Sequence, residues 1–163
     1  MGQWSDSPCM RKHRLTPDRE SDMPKGPVPP SFHDLLASRA FAFVSTLGRS
    51  GEPQVTPIWF MWDGEHLQFG VLEGRQKYRN LIRDNRIAIA IAHPSNPYRY
   101  LEVRGRISGI TPDIDDALFN AVSLKYSGQP FDASRESSAR YVATVEVERH
   151  TFQEPSEAPE TTL

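Results

Sequence analysis

The sequence predicts a mainly β (α+β) domain in which about six short antiparallel strands form a closed or nearly closed barrel with peripheral helices. Three observations point there. Runs rich in β-branched and aromatic residues recur along the chain and are bounded by glycine-containing turns. Between them, two stretches change to the three-and-four spacing of an amphipathic helix. The 163 residues contain no internal repeat and suit one unit, and closing the sheet removes the exposed edges that short strands would otherwise present.

Residues 1–30 carry mixed charges and Pro8, Pro17, Pro24, Pro27, Pro29 and Pro30, and lack the apolar core of a secretory signal. They are expected to be a flexible leader, with Met23 an alternative start. The domain should occupy residues 31–152. Ser31 and Asp34 offer a side-chain cap for a short helix running to about Arg39. Phe41 to Leu47 is a strand, stopped by the turn Gly48-Arg49-Ser50-Gly51. Gln54 to Trp62 is the next strand, and Pro57 within it implies an edge, a bulge or a ligand-facing gap because proline cannot donate to a ladder. Asp63-Gly64 turns the chain into a strand from His66 to Val71.

After Gly74 the residues Tyr78, Leu81 and Ile82 take helical spacing among basic neighbours. Ile87 to Ala92 shows no polar alternation and reads as a strand buried on both faces. Tyr98 to Ile110 is long enough to bend, at Gly105 and Gly109. Thr111-Pro112 has the form of a helix start, and Ile114, Leu118, Ala121, Val122 and Lys125 continue the helix to about Tyr126. Tyr141 to Glu148 alternates as a final strand, and residues 153–163 are expected to be a mobile acidic tail.

A net charge of −2 with 25% charged residues gives no general basis for a nucleic-acid or membrane-surface partner, so an anion site must be a local cluster. Cys9 is the sole cysteine, which excludes an internal disulfide framework and a multi-thiolate metal site and fits a reducing cytoplasm. The five histidines show no metal-binding spacing, so no metal is expected; His93, where a strand enters a loop, is the one of interest, and such a residue is more often a satisfied strand end than a catalyst. Ser45 lacks the glycine-flanked setting of a nucleophile elbow. Asp115 and Asp116 suit the positive start of their helix.

Two patterns carry binding chemistry. Arg75-Gln76-Lys77-Tyr78-Arg79-Asn80 follows a strand and a glycine at a helix start, where free amides, a bidentate arginine and a lysine point charge together suit a phosphate. The same run also fits a solvated basic helix face. Trp59, Phe60 and Trp62, with Tyr98 and Tyr100, could sandwich a flat heterocycle, or equally fill a barrel core or dimer face.

In order and spacing, Phe43-Val44-Ser45-Thr46-Leu47, Gly51 to Phe60, Arg75 to Leu81 and Tyr100 to Gly105 resemble the pyridoxamine 5'-phosphate oxidase-like FMN-binding split-barrel superfamily, closest to its deazaflavin (F-420)-dependent and FMN-binding reductases. The resemblance implies a six-stranded split barrel that forms a homodimer with a cofactor in each groove between subunits. Pro57, Ile58 and Trp59 would lie along the ring system, Phe69, Gly70, Val71 and Leu72 would supply backbone contacts, and Arg75, Lys77 and Asn80 would hold the phosphate. Tyr98 and Tyr100 would come from the partner. Because the cofactor carries the hydride, the resemblance implies no dedicated catalytic side chain. The chain lacks the C-terminal substrate-binding segment of true pyridoxamine phosphate oxidases, and Arg149-His150 is a superficial echo of it. The implied activity is therefore reduction of a small conjugated substrate by F-420, with FMN the rival cofactor and a non-catalytic flavin- or haem-binding protein the alternative.

Overall fold

The computed structural model describes residues 23–135 and 137–154. They form one antiparallel, curled seven-stranded sheet in the order β2-β1-β5-β6-β7-β4-β3. The strands are β1 (Ala42–Leu47), β2 (Pro53–Ile58), β3 (Met61–Trp62), β4 (Leu67–Leu72), β5 (Arg86–His93), β6 (Asn96–Pro112) and β7 (Arg140–Gln153). Three α-helices accompany them: α1 (His33–Ala37), α2 (Gln76–Arg83) and α3 (Ala117–Ser127).

The seventh strand arises because the stretch expected to be continuous from Gln54 to Trp62 is broken. Trp59 and Phe60 leave the ladder, and β3 then pairs with β4 on the opposite side of the barrel. Pro57 sits opposite Phe43 in edge strand β2, the first of the three settings its missing amide allows. The two bends of β6 fall where glycine permits them, with register shifts at Arg104/Gly105 and Ile107/Gly109. A Cβ on Gly105 would lie 2.0 Å from the Glu146 carbonyl oxygen, so the close approach of β6 to β7 requires glycine.

Several further expectations differ from the structure. β5 is not buried on both faces: Ile87, Ile89 and Ile91 enter the core while Ala88, Ala90 and Ala92 face outward, an alternation hidden because both sets are apolar. Thr111 and Pro112 finish β6 rather than start α3. The carboxylate of Asp113 caps that helix, accepting from the amides of Leu118 at 2.9 Å and Phe119 at 3.0 Å. Asp115 and Asp116 form a left-handed kink with φ of 55° and 54°, and Asp116 pairs with Arg140 at 3.3 Å. At α1, Asp34 does not cap; both its oxygens receive the Arg99 guanidinium at 2.9 Å.

The final residues of the expected leader are part of the fold. β4 pairs with β7 only as far as Val145, leaving the far edge of β7 unpaired. Residues 23–28 satisfy it: the Gly26 amide donates to Glu148 O at 3.2 Å, the His150 amide donates to Pro24 O at 3.1 Å, and Val28 is buried. Residues 1–22, and residues 155–163 of the expected tail, lie outside the described residues. The core runs through the barrel as Phe32, Leu36, Phe60, Phe69, Ile89 and Val103. The outer face of β2, β1 and β5 is apolar yet open, with Phe43 46% and Val55 59% exposed. Among the described residues, no helix is long and apolar enough to cross a membrane.

Candidate cofactor site

Period-two alternation places Gly70 and Leu72 of β4 on the outward face, while Phe69 and Val71 point into the core. Two cavities meet at Gly70. One, of about 310 Å³, is lined by Ile58, Trp59, Gly70, Leu118, Phe119, Val122, Ser123 and Phe131. The other, of about 160 Å³, is lined by Gly70, Val71, Leu72, Arg75, Lys77 and Tyr78. An apolar slot beneath α3 thus adjoins a cationic recess at the start of α2.

The recess is built by local backbone chemistry. Gly74 takes φ of 75° and turns the chain out of β4, so the Arg75 amide donates back to Leu72 O at 3.2 Å. Arg75 occupies the position before α2, and no side chain caps the helix there. Lys77 is partly buried beside the Phe69 ring, 5.8 Å from its centroid, and burial pulls its ammonium down to about 8.

Asn80 lies directly below and is fully buried. Its amide donates to Thr46 Oγ1 and Gln54 Oε1, both at 3.0 Å, and its oxygen accepts from Gln76 at 2.8 Å and Arg83 at 3.0 Å. Its amide nitrogen joins α2 to β1 and β2 while its oxygen is taken up within α2, so Asn80 supports the recess from beneath. Along β2, Gln54, Thr56 and Ile58 share one face and run from this network toward the apolar slot. Midway, the buried Thr56 hydroxyl has no hydrogen-bond partner.

Ile58, Trp59, Gly70, Val71, Leu72, Arg75 and Lys77 are therefore brought together around two joined cavities. Phe69 offers only its backbone. Pro57 lies on the other face of β2, with Phe43. Tyr98 and Tyr100 stand at the beginning of β6, level with the end of β7, and line neither cavity in this chain. Of the tryptophan-rich run, Trp59 alone borders the slot: Phe60 is in the core and Trp62 packs against it. His93 accepts from the Ser95 amide at 3.2 Å within its own loop.

Periodicity did not disclose the slot's roof. Leu118, Phe119 and Val122 come from α3, whose apolar residues lie on all sides, and Phe131 follows in the next loop. The all-round apolar character of α3 was the available signal, since such a helix must be covered on more than one side. Arg140 braces this roof, 4.9 Å from the Phe131 ring and 5.9 Å from Phe119, and donates to Ala133 O at 3.0 Å.

These residues fit a phosphate-bearing ring cofactor on two counts. A Cβ on Gly70 would lie 2.5 Å from the Phe119 ring and narrow the junction of the cavities, and the buried Thr56 hydroxyl, on the same face of β2 as the slot-lining Ile58, has no hydrogen-bond partner. The profile of the pyridoxamine 5'-phosphate oxidase family matches residues 28–154. The chain belongs to this family. Among solved structures, one named F420 reductase is 35% identical, covers 76% of this pyridoxamine 5'-phosphate oxidase-family chain and 98% of its own, and superposes with a TM-score of 0.70. The conserved hypothetical protein Rv2991 from Mycobacterium tuberculosis is 17% identical, with 82% and 92% of the two chains covered and a TM-score of 0.65. HupZ from Group A Streptococcus is 19% identical, with 80% and 98% covered and a TM-score of 0.55. These last two share the fold. No curated protein sequence matches. The fold is the split barrel of the pyridoxamine 5'-phosphate oxidase family.

Proposed function

We propose that the chain is a homodimeric oxidoreductase that binds the deazaflavin coenzyme F-420 and reduces a small conjugated organic substrate. The observation that carries this is the meeting of an apolar slot and a cationic recess at Gly70, a shape for a flat ring joined to an anionic arm. The 35% identical F420 reductase supports the choice of coenzyme. When bound, the coenzyme supplies the hydride. Arg75 and Lys77 hold the phosphate end, Thr56 offers its hydroxyl to the connecting arm, and Ile58, Trp59, Phe119 and Phe131 exclude water from the ring. Among the described residues Ser123 is the one polar side chain lining the slot, so the protein's contribution is orientation and desolvation rather than acid–base chemistry.

The open apolar face of β2, β1 and β5 supports pairing of two copies, and Tyr98 and Tyr100 of the second copy would complete the groove. FMN is the second reading, because the recess serves any phosphate at the end of a tricyclic cofactor. Titrating the dimer with reduced and oxidised F-420 and with FMN, while following the fluorescence of Trp59 against a Trp59→Phe control, separates the two. Tighter binding of F-420 is expected; preferential quenching by FMN overturns the assignment. The lack of an acid or base in the slot also suits a non-catalytic carrier, which would bind cofactor but show no substrate-dependent reoxidation of its reduced form.

A further inference from the structure

Helix α3 is fastened at its C-terminal end by two side chains that reach behind the tryptophan of the slot. The half-buried Lys125 ammonium donates to Leu36 O and Phe60 O, both at 3.2 Å. It also lies 4.5 Å from the Phe60 ring centroid and 5.1 Å from that of Tyr126. Tyr126 donates its hydroxyl to Ala40 O at 2.7 Å, and burial pushes that hydroxyl up to about 12, so it is a neutral donor at ordinary pH. The Tyr126 ring is thus held at its tip by a hydrogen bond and beside its face by a cation.

Against it lies the indole of Trp59, with centroids 5.1 Å apart and planes 9° from parallel. Trp59 stands in the break between β2 and β3, so no ladder hydrogen bonds set its orientation. The stacking contact does so instead, and the indole is one wall of the apolar slot.

We propose that Tyr126 is a positioning residue of this site: it holds Trp59 as a pre-set flat wall that favours planar ring systems. This rests on the reading of the slot as a ring site given above. Pre-setting the wall removes the ordering that a mobile indole would require on binding, and a flat wall gains most contact with a flat ligand.

The test uses the full chain with Trp4→Phe and Trp62→Phe, leaving Trp59 the only tryptophan. Acrylamide quenching of Trp59 is measured, with titrations of lumichrome, a tricyclic ring without a phosphate arm, and of inorganic phosphate. Tyr126→Phe keeps the ring and should leave quenching and both affinities close to the parent. Tyr126→Leu should raise Trp59 quenching and weaken lumichrome about fivefold, as expected for loss of an aromatic pair, with phosphate binding unchanged. Tyr126→Met, whose longer unbranched chain adapts to the vacated space, carries the same expectation if the leucine variant does not fold. Unaltered Trp59 quenching in the leucine or methionine variant overturns the positioning role. Failure of lumichrome to bind the parent removes the ring-site reading and with it the selection of planar ligands, a result the quenching data keep distinct.

Discussion

Lys77 carries its charge in a recess that penalises it. Burial lowers its ammonium from 10.5 to about 8, whereas the unfolded chain keeps its proton to the higher value. Between these limits the unfolded state binds more protons, so this group adds stability as pH rises from about 8 to 10.5. Its grip on an anion runs in the opposite sense, because the deprotonated amine attracts no phosphate. Affinity for FMN or F-420 should therefore fall several-fold between pH 7 and 9.5 by calorimetric titration, and Lys77→Arg should flatten that profile. Replacing both Arg75 and Lys77 with alanine should weaken binding by about 2–4 kcal/mol, the order of two charge-assisted contacts. Gly70 is the other decisive residue of the site. In Gly70→Ala the new methyl meets the Phe119 ring, which must swing into the slot; ring binding should drop about tenfold while inorganic phosphate still binds. An unchanged ring affinity would show that the two cavities are not used as one.

At the scale of elements, the barrel is shaped by places where ladders break. β6 changes register against β7 at Gly105, and the Glu146 carbonyl fills the space a side chain would need. Because the obstacle is backbone, no rotamer change relieves it, and Gly105→Ala should destabilise the chain by about 3 kcal/mol in urea unfolding. The interruption at Trp59 and Phe60 likewise lets β2 and β3 serve opposite edges of the sheet and exposes an indole to the slot. Helix α3 is held at both ends, by the Asp113 cap and the Asp116–Arg140 pair at one and by Lys125 and Tyr126 at the other. A helix secured this way can roof a cavity without burying a single amphipathic stripe.

At the scale of the whole molecule, Phe43, Val55, Pro57 and Ala90 form an open apolar surface on the outer sheet face among the described residues. An apolar surface of this kind suits a second copy. Phe43→Glu should convert a sedimenting dimer to monomer and, if Tyr98 and Tyr100 of the second copy complete the groove, weaken cofactor binding at least about tenfold, given the cost of burying an unpaired carboxylate. A monomer that retains full affinity would place the entire site within one chain. The unexpected alternation of β5 bears on the same face: its isoleucines build the core, and its alanines keep the outer surface flat enough for close approach.

Most strands, the α2 helix, the bends of β6 and the basic run at Arg75 were legible in the sequence, because side-chain period, glycine placement and charge spacing are local properties of the chain. The resemblance of those runs to a known superfamily also agreed with the family match. Local pattern could not tell which face of β5 met the core when both faces were apolar, nor that the Asn80 side chain would be wholly engaged by two other strands and its own helix. It could not assign the capping of α3 to Asp113 rather than Thr111, since two left-handed residues shift the helix start. The roof of the slot was beyond reach for the same reason: Phe119, Phe131, Arg140 and Tyr126 meet Gly70 and Trp59 only after the barrel closes. Propensity and periodicity act over a few residues, whereas a cavity is made by segments far apart in the chain, and only tertiary packing decides which of them share it.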